Sequence, residues 1–186
     1  MKKILSSILM GLTLLIGSQV QAEENNMTQK KVLVAYFSAT GITAGVAEKL
    51  AQSINADLFE IKPEQPYTED DLNWRNDQSR SSIEMKDMTS RPKIASKVAD
   101  MSQYNVIFVG FPIWWAREPS IIDTFMESYD FAGKTVIPFA TSGSNEIGNS
   151  GQLMQKLAPK AKVLEGKRFP STVSEKDLKQ WAEEWL

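Results

Sequence analysis

Lys31–Phe37, KVLVAYF, is an almost unbroken run of aliphatic and aromatic residues, the pattern of a strand covered on both faces. Directly after it the period changes, and Val46, Ala47, Leu50, Ala51 and Ile54 recur at helical spacing. Strand, loop and helix therefore follow one another within 24 residues. Asp57–Ile61 reads as a second strand. Pro63 to Pro92 is polar and irregular; it carries Tyr67 and Trp74 but no sustained period. A helix is expected from about Lys93 to Ser102, then a strand over Asn105–Gly110 and a helix over Pro119–Tyr129. Lys134–Ala140 is the next strand, although Pro138 inside it removes a ladder donor and is awkward there. Gly148–Leu157 predicts a helix and Lys162–Leu164 a short last strand. Ser174 caps a final helix ending at Trp185, with Asp177 in its first turn. Alternating β and α units of this kind close into a parallel sheet with helices on both faces.

The first 22 residues stand outside this alternation. Lys2 and Lys3 precede an apolar run, Ile4 to Ile16, and Val20-Gln21-Ala22 offers small or modest side chains where a signal peptidase cuts. The run has 13 residues broken by Ser6, Ser7, Gly11 and Thr13, whereas a bilayer span needs roughly 20 apolar residues. The expected organisation is a signal peptide at 1–22, a polar leader at 23–30 and one domain at 31–186. A periplasmic or secreted protein follows, with no membrane span once the signal is removed; translation from Met27 would instead leave it cytoplasmic.

Composition narrows the chemistry. Losing Lys2 and Lys3 leaves 19 basic against 23 acidic residues, so nucleic acid and anionic membrane are poor partners. The chain contains no His and no Cys. That excludes a Ser-His-Asp triad, a thiol nucleophile, disulfides and His-ligated zinc or haem. Chemistry here has to come mostly from a cofactor.

The loop SATGIT, Ser38–Thr43, closes the first strand and opens the first helix. Backbone N–H groups converge in such a loop, and the helix dipole favours negative charge there. Gly41 allows close approach and positive φ, while Ser38, Thr40 and Thr43 bring hydroxyls. The sequence has neither G-x-x-x-x-G-K-[ST] nor G-x-G-x-x-G at this point. It reads as a phosphate cradle without a lysine, or as a plain helix cap rich in Ser and Thr.

SATGIT after a first strand resembles the flavodoxin phosphate-loop pattern [ST]-x-T-G-x-T. GFPIWWAREPS, Gly110–Ser120, after the third strand and PFATSGSNEIGNSG, Pro138–Gly151, after the fourth are similar to the other two flavin-holding loops of flavodoxin-like proteins. The resemblance runs over the chain from Lys31 onward. It implies an α/β fold of the flavodoxin-like, doubly wound type, with a five-stranded parallel sheet in the order 2-1-3-4-5 and helices on both faces. It also implies flavin mononucleotide (FMN) as cofactor. Ser38, Thr40, Gly41, Ile42 and Thr43 would then hold the phosphate. Pro112, Ile113, Trp114 and Trp115 would border the ribityl chain and ring, and Thr141, Ser142, Gly143 and Ser144 would meet the ring's polar edge. No aromatic stands between Thr141 and Gly151, where many flavodoxins carry a second stacking side chain, so that face is either open or covered by Tyr67 or Trp74. Glu118 and Asp123 offer carboxylates for proton handling, but are expected to be solvent-exposed helix charges. The function implied is electron transfer outside the cytoplasm with a protein redox partner. The alternative is an FMN-dependent NAD(P)H:quinone-type oxidoreductase of the same fold.

Overall fold

The computed structural model describes residues 31–186, so the expected signal peptide and polar leader lie outside the described residues. Five strands lie parallel in the order β2-β1-β3-β4-β5, comprising β1 Val32–Tyr36, β2 Asp57–Glu60, β3 Val106–Pro112, β4 Thr135–Thr141 and β5 Lys162–Val163. A sixth piece, β6 Lys167–Phe169, also runs parallel to β4. The short last strand expected at Lys162–Leu164 is β5, and β6 is an addition that the sequence reading did not anticipate.

Alternation along the central strands supplies two cores. Leu33, Ile107 and Val136 point to one face, against Ile121, Phe125 and Met154 of helices α3 (Ser120–Glu127) and α4 (Ser150–Leu157). Val34, Phe108 and Ile137 point to the other, against Val46 and Leu50 of α1 (Ile42–Ile54) and Leu178 and Trp181 of α5 (Glu175–Ala182). Every residue of β1 is buried, as its near-continuous apolar sequence requires.

Pro138 sits in β4 without breaking a bond. Thr135 N–H bonds towards β3 and the Thr141 carbonyl accepts from Ile113, whereas the Lys134 and Val136 carbonyls accept from Lys162 and Leu164. By alternation, the missing Pro138 donor faces the fifth strand. Val136 pairs with Val163 and Phe139 with Lys167, so 137 and 138 stand opposite three residues, 164–166. The proline lies at a bulge, where the ladder is already interrupted. Gly166, at φ 83°, fits against it: a Cβ there would come within 2.3 Å of the Pro138 carbonyl oxygen.

The expected helix over Lys93–Ser102 does not form. Ile94 bridges Pro63 in antiparallel fashion and only Met101–Gln103 makes a short 3₁₀ turn. Ile94 and Val98 reach the core from a non-helical segment, and their four-residue spacing mimicked a helical face. A helix instead occupies Arg80–Lys86 (α2), capped by the Ser79 hydroxyl, inside the stretch expected to be irregular. Its buried residues are Ser81, Ser82 and Met85, and Ile83 is exposed, so no apolar stripe announces it. No helix among the described residues is long and apolar enough to cross a membrane.

Candidate functional site

The loop leaving β1 turns into α1 through Gly41 at φ 84°, the N-cap of the helix, with no side-chain cap. A Cβ added there meets nothing within 4 Å. Glycine is needed for its left-handed conformation and not because the protein crowds it. Thr43 is buried in the first turn, and its hydroxyl bonds the Thr141 hydroxyl at the end of β4 at 2.8 Å. The Ser38 hydroxyl is buried and has no hydrogen-bond partner among the described residues.

These loops meet the end of β3 around a cavity of about 370 Å³, within the ~300–1,000 Å³ of small-molecule sites. Thr40, Ile42 and Thr43 form its first wall, Pro112, Ile113 and Trp114 its second, and Thr141, Ser142 and Gly143 its third. Ala39, Leu72 and Ser171 complete the lining, which contains no charged side chain. Ser38 and Gly41 belong to the same loop without lining the cavity. Ser144 does not line it either; its N–H is spent on the Ser142 hydroxyl, which also accepts from Asn145. The Arg168 guanidinium secures this loop from β6, donating to the Ser142 carbonyl at 3.3 Å and standing 3.4 Å from Glu146.

A second cavity of about 360 Å³ adjoins the first and shares Leu72, Ile113 and Trp114 with it. Trp115, Trp74, Ser81 and Asn145 supply the rest. Trp114 and Trp115 diverge because Trp114 and Arg117 exchange two backbone hydrogen bonds of 3.0 Å across a two-residue turn. The turn residues, Trp115 and Ala116, have φ of 46° and 67°. Both values belong to a turn type that normally takes Gly or Asn, so the backbone stores strain where Trp115 is presented. Trp114 packs edge-on against Phe37 and Tyr67, while Trp115 stays 45% exposed.

Tyr67 lines neither cavity. Its ring packs on Phe37, its hydroxyl donates to the Glu84 carboxylate, and the Arg80 guanidinium lies over its face. Burial raises its pKa, followed by the bond to Glu84. The long stretch reaches the cavities through Leu72, Trp74 and Ser81. Leu72 and Ser171 escaped sequence reasoning because neither belongs to a motif; the fold alone brings them there.

The expectation that Glu118 and Asp123 are exposed is wrong. Glu118 is completely buried and Asp123 nearly so. Proline and apolar neighbours in the α3 segment turn both inward, with Arg117 as the buried counter-charge. Neither Glu118 carboxyl oxygen has a hydrogen-bond partner among the described residues. Burial, with Asp123 adding to it, pushes the Glu118 carboxyl up to about 7; burial likewise raises Asp123.

The flavodoxin family profile matches residues 31–185. A candidate flavoprotein from Bacteroides eggerthii DSM 20697 is 49% identical, with a TM-score of 0.78 over 83% of this chain and 96% of that one. A second, from Bacteroides uniformis ATCC 8492, is 47% identical with the same TM-score, over 83% and 98%. A flavoprotein from Lactobacillus acidophilus NCFM, solved in complex with FMN, shares the fold at 22% identity and a TM-score of 0.61, over 82% and 99%. No curated protein matches the chain.

The Glu118 environment makes stability depend on pH. An unfolded chain loses that proton near the ordinary value of 4.5, the folded one near 7, so between these values the folded state holds more protons and its stability falls as pH rises. Glu118→Gln removes this term. Relative to wild type, the variant should lose less stability as pH rises from 4.5 to 8. Urea denaturation across that range measures it, and parallel wild-type and variant curves would refute the buried neutral acid.

Proposed function

The chain belongs to the flavodoxin family, and from that premise we propose that it binds FMN and transfers electrons outside the cytoplasm. The observation that carries the reading is the first cavity's chemistry. A 13-residue helix begins at its wall, the hydroxyl residues Thr40, Thr43, Thr141, Ser142 and Ser171 line it and no carboxylate lines it to repel an anion, and in the adjoining loop the buried Ser38 hydroxyl has no partner among the described residues. Such a lining suits a phosphate. The adjoining cavity, bordered by Trp114, Trp115 and Trp74, suits a broad flat ring. FMN would be held with its phosphate at Ser38, Thr40, Gly41, Ile42 and Thr43, and its ring beside the tryptophans and the Thr141–Ser144 loop. When bound it supplies a ring that takes up and returns electrons. The chain's own residues orient that ring and restrict its access to solvent. The L. acidophilus flavoprotein of the same fold was solved with FMN, which agrees with this assignment.

The phosphate assignment is tested by comparing FMN with riboflavin, which lacks the phosphate. FMN should bind at least a hundredfold tighter in fluorescence titrations. Thr40→Ala and Thr43→Ala should each weaken FMN binding by about 1–2 kcal/mol, the scale of a hydrogen bond to a charged group. Gly41→Val, strained at φ 84°, should abolish it. Equal affinity for riboflavin and FMN would sink the assignment.

Electron carriage through a protein partner is favoured over direct nicotinamide chemistry because Trp74 and Trp115, both partly exposed, border the cavity proposed for the ring. Hydride transfer needs reacting atoms within roughly 3–3.5 Å. NADH and NADPH alone should therefore reduce the bound flavin slowly under anaerobic conditions, whereas dithionite reduces it at once. Trp74→Ala should raise the nicotinamide rate at least tenfold. Rapid bleaching of the wild-type flavin by either nicotinamide, with turnover on a quinone, would instead make it an NAD(P)H:quinone-type oxidoreductase.

Export rests on the Lys2-Lys3, Ile4–Ile16 and Val20–Ala22 pattern. Mass spectrometry of the protein from its native host should find Glu23 as the first residue. Intact Met1, or a start at Met27 in cytosolic protein, would remove it.

A further inference from the structure

Arg117, Glu118 and Asp123 form a buried charge cluster under the turn that presents Trp114 and Trp115. One guanidinium nitrogen of Arg117 stands 3.3 Å from Asp123 Oδ2 and 3.9 Å from Glu118 Oε1, so the two carboxyls flank the same cation. That nitrogen also donates to the Glu118 backbone carbonyl at 2.9 Å, and the second donates to the Ser120 hydroxyl at 3.0 Å. The Ser120 hydroxyl in turn donates a hydrogen bond to the Glu84 backbone carbonyl of α2 at 3.0 Å. From α4, the Ser150 hydroxyl accepts the Glu118 N–H and lies close enough to the carboxyl to offset part of the effect of burial. From the segment before β3, one guanidinium nitrogen of Arg91 comes within 3.8 Å of Asp123 but donates to the Ser90 and Met88 carbonyls at 2.8 and 3.0 Å, while its other two nitrogens bond Glu127 at 2.8 Å. Both Glu118 oxygens and Asp123 Oδ1 are left without partners among the described residues.

The charge count in this dry region does not close. Arg117 is the one fully buried cation beside two buried carboxyls, and Arg91 is largely spent on Glu127. Two carboxylates sharing one desolvated site do not both ionise; one keeps its proton and donates towards the other. We infer that Glu118 and Asp123 hold a single proton between them, and that its affinity follows the charge in the adjoining cavity, so that near the pH where the pair loses this proton an electron gained there draws it back from solvent.

The connection is short. Trp114 lines both cavities and is bonded through its backbone to Arg117, the residue before Glu118. Residues paired in this way lie about 5.5 Å apart, which puts a charge at the ring end on the order of 10 Å from the pair. At an effective dielectric of ~20, one unit charge at that distance changes a proton affinity about tenfold. The step balances: the electron comes from a chemical reductant such as dithionite or from the protein donor, the proton comes from water, and the cluster gains the positive charge that offsets the negative charge added nearby. Glu118 is here a proton-holding, positioning residue, and it lines neither cavity. This inference rests on the flavin reading.

The test uses the FMN-loaded protein with ¹³C-labelled Asp and Glu side chains. Carboxyl NMR signals of Glu118 and Asp123 are followed against pH, oxidised and then reduced anaerobically with dithionite. Both signals should move together in two coupled steps, and the upper step should rise by about one pH unit on reduction. In Glu118→Gln the coupled titration should vanish, and the midpoint potential of the bound flavin should lose the part of its pH dependence that wild type shows between the oxidised and reduced values. Proton binding by the flavin itself is common to both proteins and cancels in the comparison. Asp123→Asn serves the same purpose if Glu118→Gln does not fold. A merely structural role for Glu118 would lower stability and leave the pH dependence of the potential unchanged. Independent ionisation of both carboxyls below pH 5 overturns the shared proton. A coupled titration that ignores reduction, or identical pH dependences of the potential, overturns the coupling. If no flavin binds, the coupling falls with the reading beneath it, while titration of the flavin-free protein still decides the shared proton.

Discussion

Three strands buried on both faces and fixed in parallel register dictate the rest of this molecule. Tyr36 aligns with Gly110 and Gly110 with Phe139, while Pro112 aligns with Thr141. Because the register leaves no slack, the loops after β1, β3 and β4 must emerge side by side at one edge. Ligand sites of open α/β sheets fall at this edge, where the chain departs in opposite directions from neighbouring strands. The hydroxyl bond between Thr43 and Thr141 joins two of these loops, and the backbone bond from Ile113 N–H to the Thr141 carbonyl joins the third. The cavity wall is therefore continuous although its parts lie about 100 residues apart in sequence.

Rigidity at the base coexists with stored strain at the rim. The Trp115-Ala116 turn holds two left-handed residues with Cβ atoms, and it is kept closed by the pairing of Trp114 with Arg117 and by the buried salt bridge from Arg117 to Asp123. A buried ion pair is a weak source of stability. Its value here is geometric, since it ties a strained, tryptophan-bearing turn to the first turn of α3. Electrostatics and presentation of the aromatic rim are thus one problem in this fold.

How much was legible in the sequence depended on whether a residue's role was local. The β1 strand, its loop and α1 were readable because apolar runs and turn residues act on immediate neighbours, and strand order followed once the three loops were matched to a family pattern. The stretch from Pro63 to Ser102 was not readable. Ile94 and Val98 keep helical spacing yet reach the core without forming a helix, and α2 buries serines where a stripe of apolar residues would have signalled it. The candidate site divides the same way. Thr40, Thr43, Pro112, Trp114 and Thr141 could be named from motifs, whereas Leu72 and Ser171 arrive only through long-range folding. Glu118 was misjudged because a charged residue beside a helix start usually faces water; only the packing of α3 against α4 and the Arg117 side chain overturns that rule.

The bulge opposite Pro138 acts as a gear tooth between β4 and the fifth strand. A ladder with a donor at every position can slip by one residue and re-pair, inverting each side chain it carries. Proline at 138 offers nothing to re-pair with, and Gly166 is the residue that lets the chain close up against it. The two halves of the last strand are therefore indexed separately: Val163 is counted from Val136 and Phe169 from Thr141. Insertions in Leu164–Gly166 would alter the spacing between the halves without disturbing the register of either, which makes this gap the place where a lineage of such proteins can lengthen the edge strand while the cavity floor stays unchanged.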